Sequence, residues 1–359
     1  MGKKDTLRIA AIGDLLLTTP RSSRTPGRGL EALSPQIRDL FSTCDIVLAN
    51  LECTLPAQQH IPTEPRVFTT EQQLESLQGA HINLVTLANN HAFDAFDPGF
   101  EKTEKKLKQL GIKYFGAGLN LAQAGAHVTL TINDIRIAFL AAVSPSTGVG
   151  RFATAAHSGV PPFDESAICQ TINVLKHTHD HVIFAPHWGD ERFRFPAPEQ
   201  VKQAHRFIES GATAVLGHHP HVLQGTEHYQ HGFIAYSLGN FLANAVYWEN
   251  GDTLSWDRFE RTGEIVILEL DKKQIRHVET VPVFDTGHNI ILDNSRRGEK
   301  YRRRANKLLR QGVTVAQYRR ESYRVGALLP IVKKITWENM RRIRPVHLKK
   351  IARLLLNKS

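Results

Sequence analysis

Short apolar runs along the chain alternate with longer stretches in which apolar residues return at three- and four-residue steps. The runs Leu7–Ile12, Ile46–Asn50, Leu84–Leu87, Ile135–Ala141, His181–Ala185, Ala214–Leu216, Phe233–Ser237 and Glu264–Leu270 read as strands. The stretches Gly99–Leu110, Ser166–Lys176 and Glu199–Ser210 read as amphipathic helices. This alternation predicts an α/β fold with sheets covered by helices. From about Phe233 to Val283 the strands come with less helix between them, which predicts a mixed or antiparallel part of the sheet. The pattern changes near Asn294. There RRGEKYRRRANKLLRQG is basic and helical in propensity, and the last segment, RPVHLKKIARLLLNKS, is amphipathic. A boundary is expected near residue 290, with a body over 1–290 and a basic, mainly helical extension over 291–359.

Composition sharpens that division. At 359 residues, 41% of them hydrophobic and 22% charged, the chain is of soluble globular type. It has no run approaching the roughly 18–20 apolar residues of a membrane-spanning helix. The net charge of +10 conceals an asymmetry. Residues 296–359 hold 20 Lys/Arg against 3 Asp/Glu, a surplus of +17, whereas residues 1–295 hold 25 against 32, a deficit of 7. A mildly acidic body therefore carries a strongly basic tail. Near the N-terminus Asp14 interrupts the apolar stretch and no small-residue cleavage site follows, so a first strand is the better reading than an export signal. That reading favours the cytoplasm, with the tail peripheral at the inner membrane face. Three cysteines without metal-type spacing argue against a disulfide framework.

The residues with chemical potential cluster where strands end. Leu7–Ile12 runs into Asp14, Ile46–Asn50 into Glu52, and Leu84–Leu87 into Asn89-Asn90-His91 with Asp94 beyond. His181–Ala185 leads to Pro186-His187-Trp188-Gly189-Asp190-Glu191, and Ala214–Leu216 to Gly217-His218-His219-Pro220-His221. Carboxyl ends of strands in α/β sheets converge on the rim where ligand sites form. Carboxylates, amides and imidazoles without cysteine suit Mn, Fe, Zn or Mg. Each residue taken alone has an ordinary reading: Asp14 as a helix N-cap, Asn89-Asn90 as a turn, His187 as a packed core histidine. Five strand ends together favour a site. The alternating His177, His179 and His181 imitate a metal clip but read as surface residues on a connection. Ser237-Leu238-Gly239-Asn240-Phe241 follows a strand and places Asn240 as a pocket-lining candidate, without the glycine pattern of a nucleophile elbow.

These motifs, NLE at 50–52, LANNHAFD at 87–94, PHWGDE at 186–191, GHHPHVLQG at 217–225 and YSLGNF at 236–241, resemble the CapA-type capsule (poly-γ-glutamate) biosynthesis proteins of the calcineurin-like metallophosphoesterase superfamily. The resemblance spans roughly Leu7 to Val283. It implies a four-layer α/β/β/α sandwich with one or two divalent metal ions on its rim. Asp14, Glu52, Asn90, His187, His219 and His221 then stand as metal ligands, and His91, oriented by Asp94, as leaving-group acid or charge stabiliser. Two departures bear on activity: the histidine usual two residues after the first aspartate is Leu16, and the bridging aspartate is the longer Glu52.

Two functions follow from that reading. One is a metal-dependent hydrolase acting on a phosphoester or on an amide of an anionic polymer, with Arg192 and Arg194 either holding the anion or lying on a solvated face. The other is a non-catalytic component of capsule assembly that binds the polymer or a membrane synthase. The basic tail would contact an anionic membrane surface, the synthase or the polymer, the alternatives being non-specific binding of nucleic acid or docking against the acidic body. No motif for sequence-specific nucleic-acid reading is present.

Overall fold

The computed structural model describes residues 5–19 and 27–330. In chain order its strands and helices are β1 (Leu7–Leu16), α1 (Pro35–Ser42), β2 (Ile46–Leu51), α2 (Glu71–Gly79), β3 (Leu84–Thr86), α3 (Phe96–Gln109), β4 (Lys113–Phe115), α4 (Leu121–Ala124), β5 (Val128–Ile132) and β6 (Ile135–Val143). They continue with α5 (Glu165–Leu175), β7 (His181–His187), α6 (Pro198–Ser210), β8 (Ala214–Leu216), β9 (Thr226–Tyr229), β10 (Gly232–Ala235), β11 (Asn240–Ala243), β12 (Val246–Tyr247) and β13 (Thr253–Leu254). The last are β14 (Thr262–Leu270), β15 (Ile275–Asp285), β16 (Ile290–Leu292), α7 (Arg297–Gln311) and α8 (Val315–Tyr323).

Two sheets organise these elements. The first runs β16-β15-β14-β1-β2-β3-β4, with β11 also paired to β1; the second runs β5-β6-β7-β8-β10-β9. β1 to β4 are mutually parallel, while β14, β15 and β16 join antiparallel, as the helix-poor sequence after Phe233 predicts. β1 is apolar almost throughout because both of its faces are covered. In β6 and β7 the period-2 alternation separates two cores. Ile137, Phe139 and Ile183 face the cluster shared with the first sheet, whereas Ala138, Leu140 and Phe184 face the cluster under α5 and α6. α1, α2 and α3 add Ile37, Phe41, Leu74 and Phe100 to the first cluster. The result is the expected α/β/β/α sandwich of four layers.

The compact unit continues past the expected boundary near residue 290, to Val313. The cause is α7: Gly298 and Ala305 are buried on one of its faces, Arg302 pairs with buried Glu264 of β14, and Thr226 N–H donates to Asn306 Oδ1 at 2.8 Å. A second unit starts at Thr314. In it, α8 begins with a capping box between Thr314 and Gln317 and runs into a π-helical turn over Arg324–Leu328. The expected amphipathic segment RPVHLKKIARLLLNKS lies outside the described residues. No helix among the described residues is long and apolar enough to cross a membrane.

Candidate metal centre

Asp14 is aimed by an irregularity in β1. The β1–β2 register passes from Ala11↔Leu48 to Asp14↔Asn50, so three residues of β1 oppose two of β2. Such a bulge re-aims the following side chain. Gly13 permits it, because a Cβ there would stand 1.8 Å from the Gly239 carbonyl oxygen. Asp14 therefore lies within the strand and caps no helix. Its Oδ1 accepts from Asn50 Nδ2 at 2.8 Å, and His221 Nδ1 stands 3.2 Å from Oδ2.

The end of β2 supplies a hub. Asn50 Nδ2 also lies 3.3 Å from Glu52 Oε2 and 3.4 Å from His187 Nδ1. Its Oδ1 accepts from Asn89 Nδ2 at 3.0 Å, and Asn89 Oδ1 accepts the His91 N–H at 3.1 Å. The turn after β3 is thereby fixed, so Asn90 Oδ1 meets His187 Nε2 at 2.8 Å and His91 Nδ1 meets Asp94 Oδ2 at 2.8 Å. From the second sheet, β7 ends on His187, and the loop after β8 brings His219 and His221 in left-handed backbone conformations, φ 98° and 57°. Conformations of that kind cost about 1–3 kcal/mol in a non-glycine residue and mark constrained sites.

Donor atoms of three triads lie within 4.8 Å of one another: Glu52, His187 and His219; Asp14, Glu52 and His221; Glu191, His219 and His221. Glu52 belongs to two of them and so stands between Asp14 and His187. Two buried donor atoms, Glu52 Oε1 and His219 Nδ1, have no hydrogen-bond partner. Unsatisfied buried polar atoms of this kind are costly, and a divalent cation with oxygen and imidazole ligands satisfies both. The donor set thus fits the expected metal, and its two sheets explain why five strand ends meet.

The protonation of the cluster follows from its burial. His187 is pushed well below the ordinary imidazole range and His219 down to about 4, first by burial and then by neighbouring histidines, so both are neutral with available lone pairs. Burial acts downward on His221 too, but Glu52 and Asp14 outweigh it and raise it to about 10. Burial lifts the Glu52 carboxyl to about 8. Burial acts upward on Asp14, but the bond to His221, the charges of His221 and His218 and the Asn50 hydrogen bond together outweigh it and draw the carboxyl below its usual range. His91 is raised by Asp94 against burial.

Other sequence candidates sit elsewhere. Asn240 is buried against the cluster, with Oδ1 2.9 Å from His221 Nδ1 and Nδ2 donating to the Glu260 carbonyl at 3.0 Å. It positions His221 instead of opening onto a pocket. Arg192 Nε donates to buried Glu260 Oε1 at 2.6 Å, and Arg194 lines a slot with α7. His179 and His181 are not surface residues. They are buried, His179 Nε2 lying 2.9 Å from Thr129 Oγ1 and His181 Nε2 2.6 Å from the Asp271 carbonyl. The sequence reading gave no role to Asn50, Asn89 or Glu191, although all lie within the motifs. Glu260 and Arg151 carried no signal. Arg151 lines a cleft with Asn89, Asn90 and Asp94 and pairs with Asp97 at 3.2 Å.

Comparison with known proteins places the chain among capsule proteins. Residues 8–245 match the family described as bacterial capsule synthesis protein PGA_cap. Over 283 residues the chain is 28% identical to the PGA biosynthesis protein CapA of Bacillus subtilis, covering 78% of this chain and 72% of that protein. The capsule biosynthesis protein CapA of Bacillus anthracis is 25% identical over 290 residues, covering 78% and 70%. A probable polyglutamine synthesis accessory protein of Mycobacterium tuberculosis is 29% identical over 208 residues, 55% of each chain. The matched stretch contains every residue of the three triads.

Proposed function

This chain belongs to the bacterial capsule synthesis protein family, and from that premise we propose that it is a metal-dependent hydrolase acting on a phosphoester or an amide of an anionic polymer such as poly-γ-glutamate. The observation that carries the reading is the pair of buried atoms without a hydrogen-bond partner, Glu52 Oε1 and His219 Nδ1, inside overlapping triads of ligand type. Asp14, Glu52, Asn90, His187, His219 and His221 would hold one or two divalent ions, with Glu191 added by its place in the third triad. Bound there, Mn, Fe, Zn or Mg would polarise the scissile group and lower the pKa of a coordinated water.

The chain's own residues define the remaining roles. Asp94 engages His91 Nδ1 and raises its pKa, so His91 keeps a proton to present from Nε2 to a leaving oxygen or nitrogen. Asn50 and Asn89 hold the carboxylates and the Asn90–His91 turn in one frame. Asn240 holds the His221 ring. Arg151, at the cleft beside Asn90, supplies a positive charge for an anionic substrate.

A second reading, a polymer- or synthase-binding component without turnover, rests on Leu16. Its side chain is buried in the core and offers no ligand where the superfamily usually has histidine. Elemental analysis of the protein beside His187→Ala and His219→Ala decides whether the cluster is a metal site. The proposal expects about one or two ions per chain, lost in the variants, with metal-dependent cleavage of phosphoesters or γ-glutamyl polymers. A protein that cannot load Mn, Fe, Zn or Mg overturns it. Loading without turnover, with His187→Ala retaining biological function, supports the binding component.

A further inference from the structure

Directly after His221 the chain contributes Val222 and Leu223 to the wall of a separate apolar slot of about 200 Å³. α7 forms the opposite wall through Tyr301, Ala305 and Leu308. At its edge Phe259 stacks on Tyr301, centroids 4.6 Å apart, yet remains 38% exposed. Arg194 and Arg304 also line the slot.

The outer face of α7 is unusually charged. The helix has seven Lys/Arg and a single acid, Glu299. Lys300, Arg303, Arg304, Lys307 and Arg310 are exposed, and their spacing of three and four residues places them in one stripe. An ordinary solvated helix face intersperses both signs. Here only Arg303 has an acidic partner on the helix, Glu299 at 2.6 Å. A cationic stripe alone would suit any polyanion, nucleic acid included. A phosphate backbone, however, has no use for an apolar slot with an exposed aromatic ring at its edge. A bilayer surface uses both, because phosphate headgroups meet the cations while apolar groups enter the acyl boundary.

We propose that α7 and the adjoining slot form a docking surface for an anionic phospholipid membrane, the stripe taking headgroup phosphates and the slot taking an acyl segment. This surface is independent of whether the metal cluster turns over substrate. Docking there would hold the His219–His221 loop at the membrane, since Val222 and Leu223 are shared between loop and slot.

The test is vesicle co-sedimentation of the full chain, using phosphatidylcholine with and without about 30 mol% phosphatidylglycerol. Wild type is expected to bind the anionic vesicles at least about ten-fold more tightly. Lys300→Glu with Lys307→Glu should weaken that binding by about 30-fold or more, since each cation near an anionic surface contributes about five-fold. Phe259→Ser, its folding checked by circular dichroism, should weaken vesicle binding while leaving binding to a short DNA duplex unchanged. Equal binding to neutral and anionic vesicles overturns the proposal. So does unchanged vesicle binding in the charge variant, which would assign the affinity to the rest of the tail. A Phe259→Ser protein that still binds vesicles normally overturns the slot and leaves a plain polyanion surface.

Discussion

Asn89 Nδ2 donates to Asn50 Oδ1 at 3.0 Å and ties the end of β2 to the turn that carries Asn90 and His91. Asn50 at the same time donates to Asp14 at 2.8 Å. One amide pair thus sets the spacing between a carboxylate on the first strand and the turn after the third. Groups that orient metal ligands typically contribute 10–100-fold to affinity. Asn50→Ala is expected to weaken metal binding by about that factor and to lower stability by about 1–3 kcal/mol through the unsatisfied partners it leaves. Isothermal titration with Mn and Zn, beside a thermal melt, checks this; unchanged affinity would remove Asn50 from the site.

His91 depends on Asp94 for its proton. Asp94 Oδ2 also accepts the Val67 N–H at 2.7 Å, so the carboxylate is fixed independently of the imidazole. A raised histidine pKa contributes stability fully below the unfolded value of about 6.5 and loses it as pH rises through the folded value. In Asp94→Asn the His91 pKa should fall, since Glu52 and Glu191 alone then oppose burial, and that stability increment should shrink. NMR titration of His91 measures it, and an unmoved titration curve refutes the pairing.

Metal uptake should release protons. Ligation needs Glu52 ionised and His221 neutral, whereas in the metal-free protein burial lifts Glu52 to about 8 and the two carboxylates lift His221 to about 10. Affinity is therefore expected to rise with pH from 6 to 9. Calorimetry in buffers of different ionisation enthalpy reads the proton count directly; an affinity flat across this window contradicts the assignment of ligands.

Arg302 on α7 meets Glu264 of β14, which is 1% exposed. Burial raises the Glu264 carboxyl to about 7, with Arg302 opposing. The folded state thus holds a proton that the unfolded chain releases near 4.5, so this group's contribution falls as pH climbs from about 4.5 through 7. Arg302→Ala should destabilise the fold by about 3–5 kcal/mol at pH 8 and by much less at pH 5.5. Melts at the two pH values test the difference, and equal losses would exclude Glu264 as the cause.

Gly13→Ala probes the bulge itself. Its Cβ would collide with the Gly239 backbone, which has no flexible end to yield. We expect a poorly folded protein or one that has lost metal binding, and a normally stable, metal-loading variant would show that the bulge can be remodelled.

Periodicity located the central strands β1, β2, β3, β6, β7, β8, β10 and β14, because each is an apolar run of the kind a two-sided cover tolerates, but it did not show β4, β5, β9, β11, β15 or β16. The strand-end position of Asp14 and the family resemblance carried by NLE, LANNHAFD, PHWGDE and GHHPHVLQG named every residue of the three triads except Glu191 as a candidate ligand. Sequence position could not show that Asp14 sits inside its strand, since the bulge depends on contact between Gly13 and Gly239, more than 200 residues apart. Nor could it separate Asn240, which turns inward to His221, from a pocket residue, or show that Arg192 is held by Glu260. The basic character of residues 296–359 was evident from composition. That α7 leaves the tail and joins the sandwich was decided by Arg302, Ala305 and Asn306, whose partners lie on β14 and β9. Local chemistry fixes which side chains can bind, but only the packing of distant segments brings their lone pairs within reach of one another.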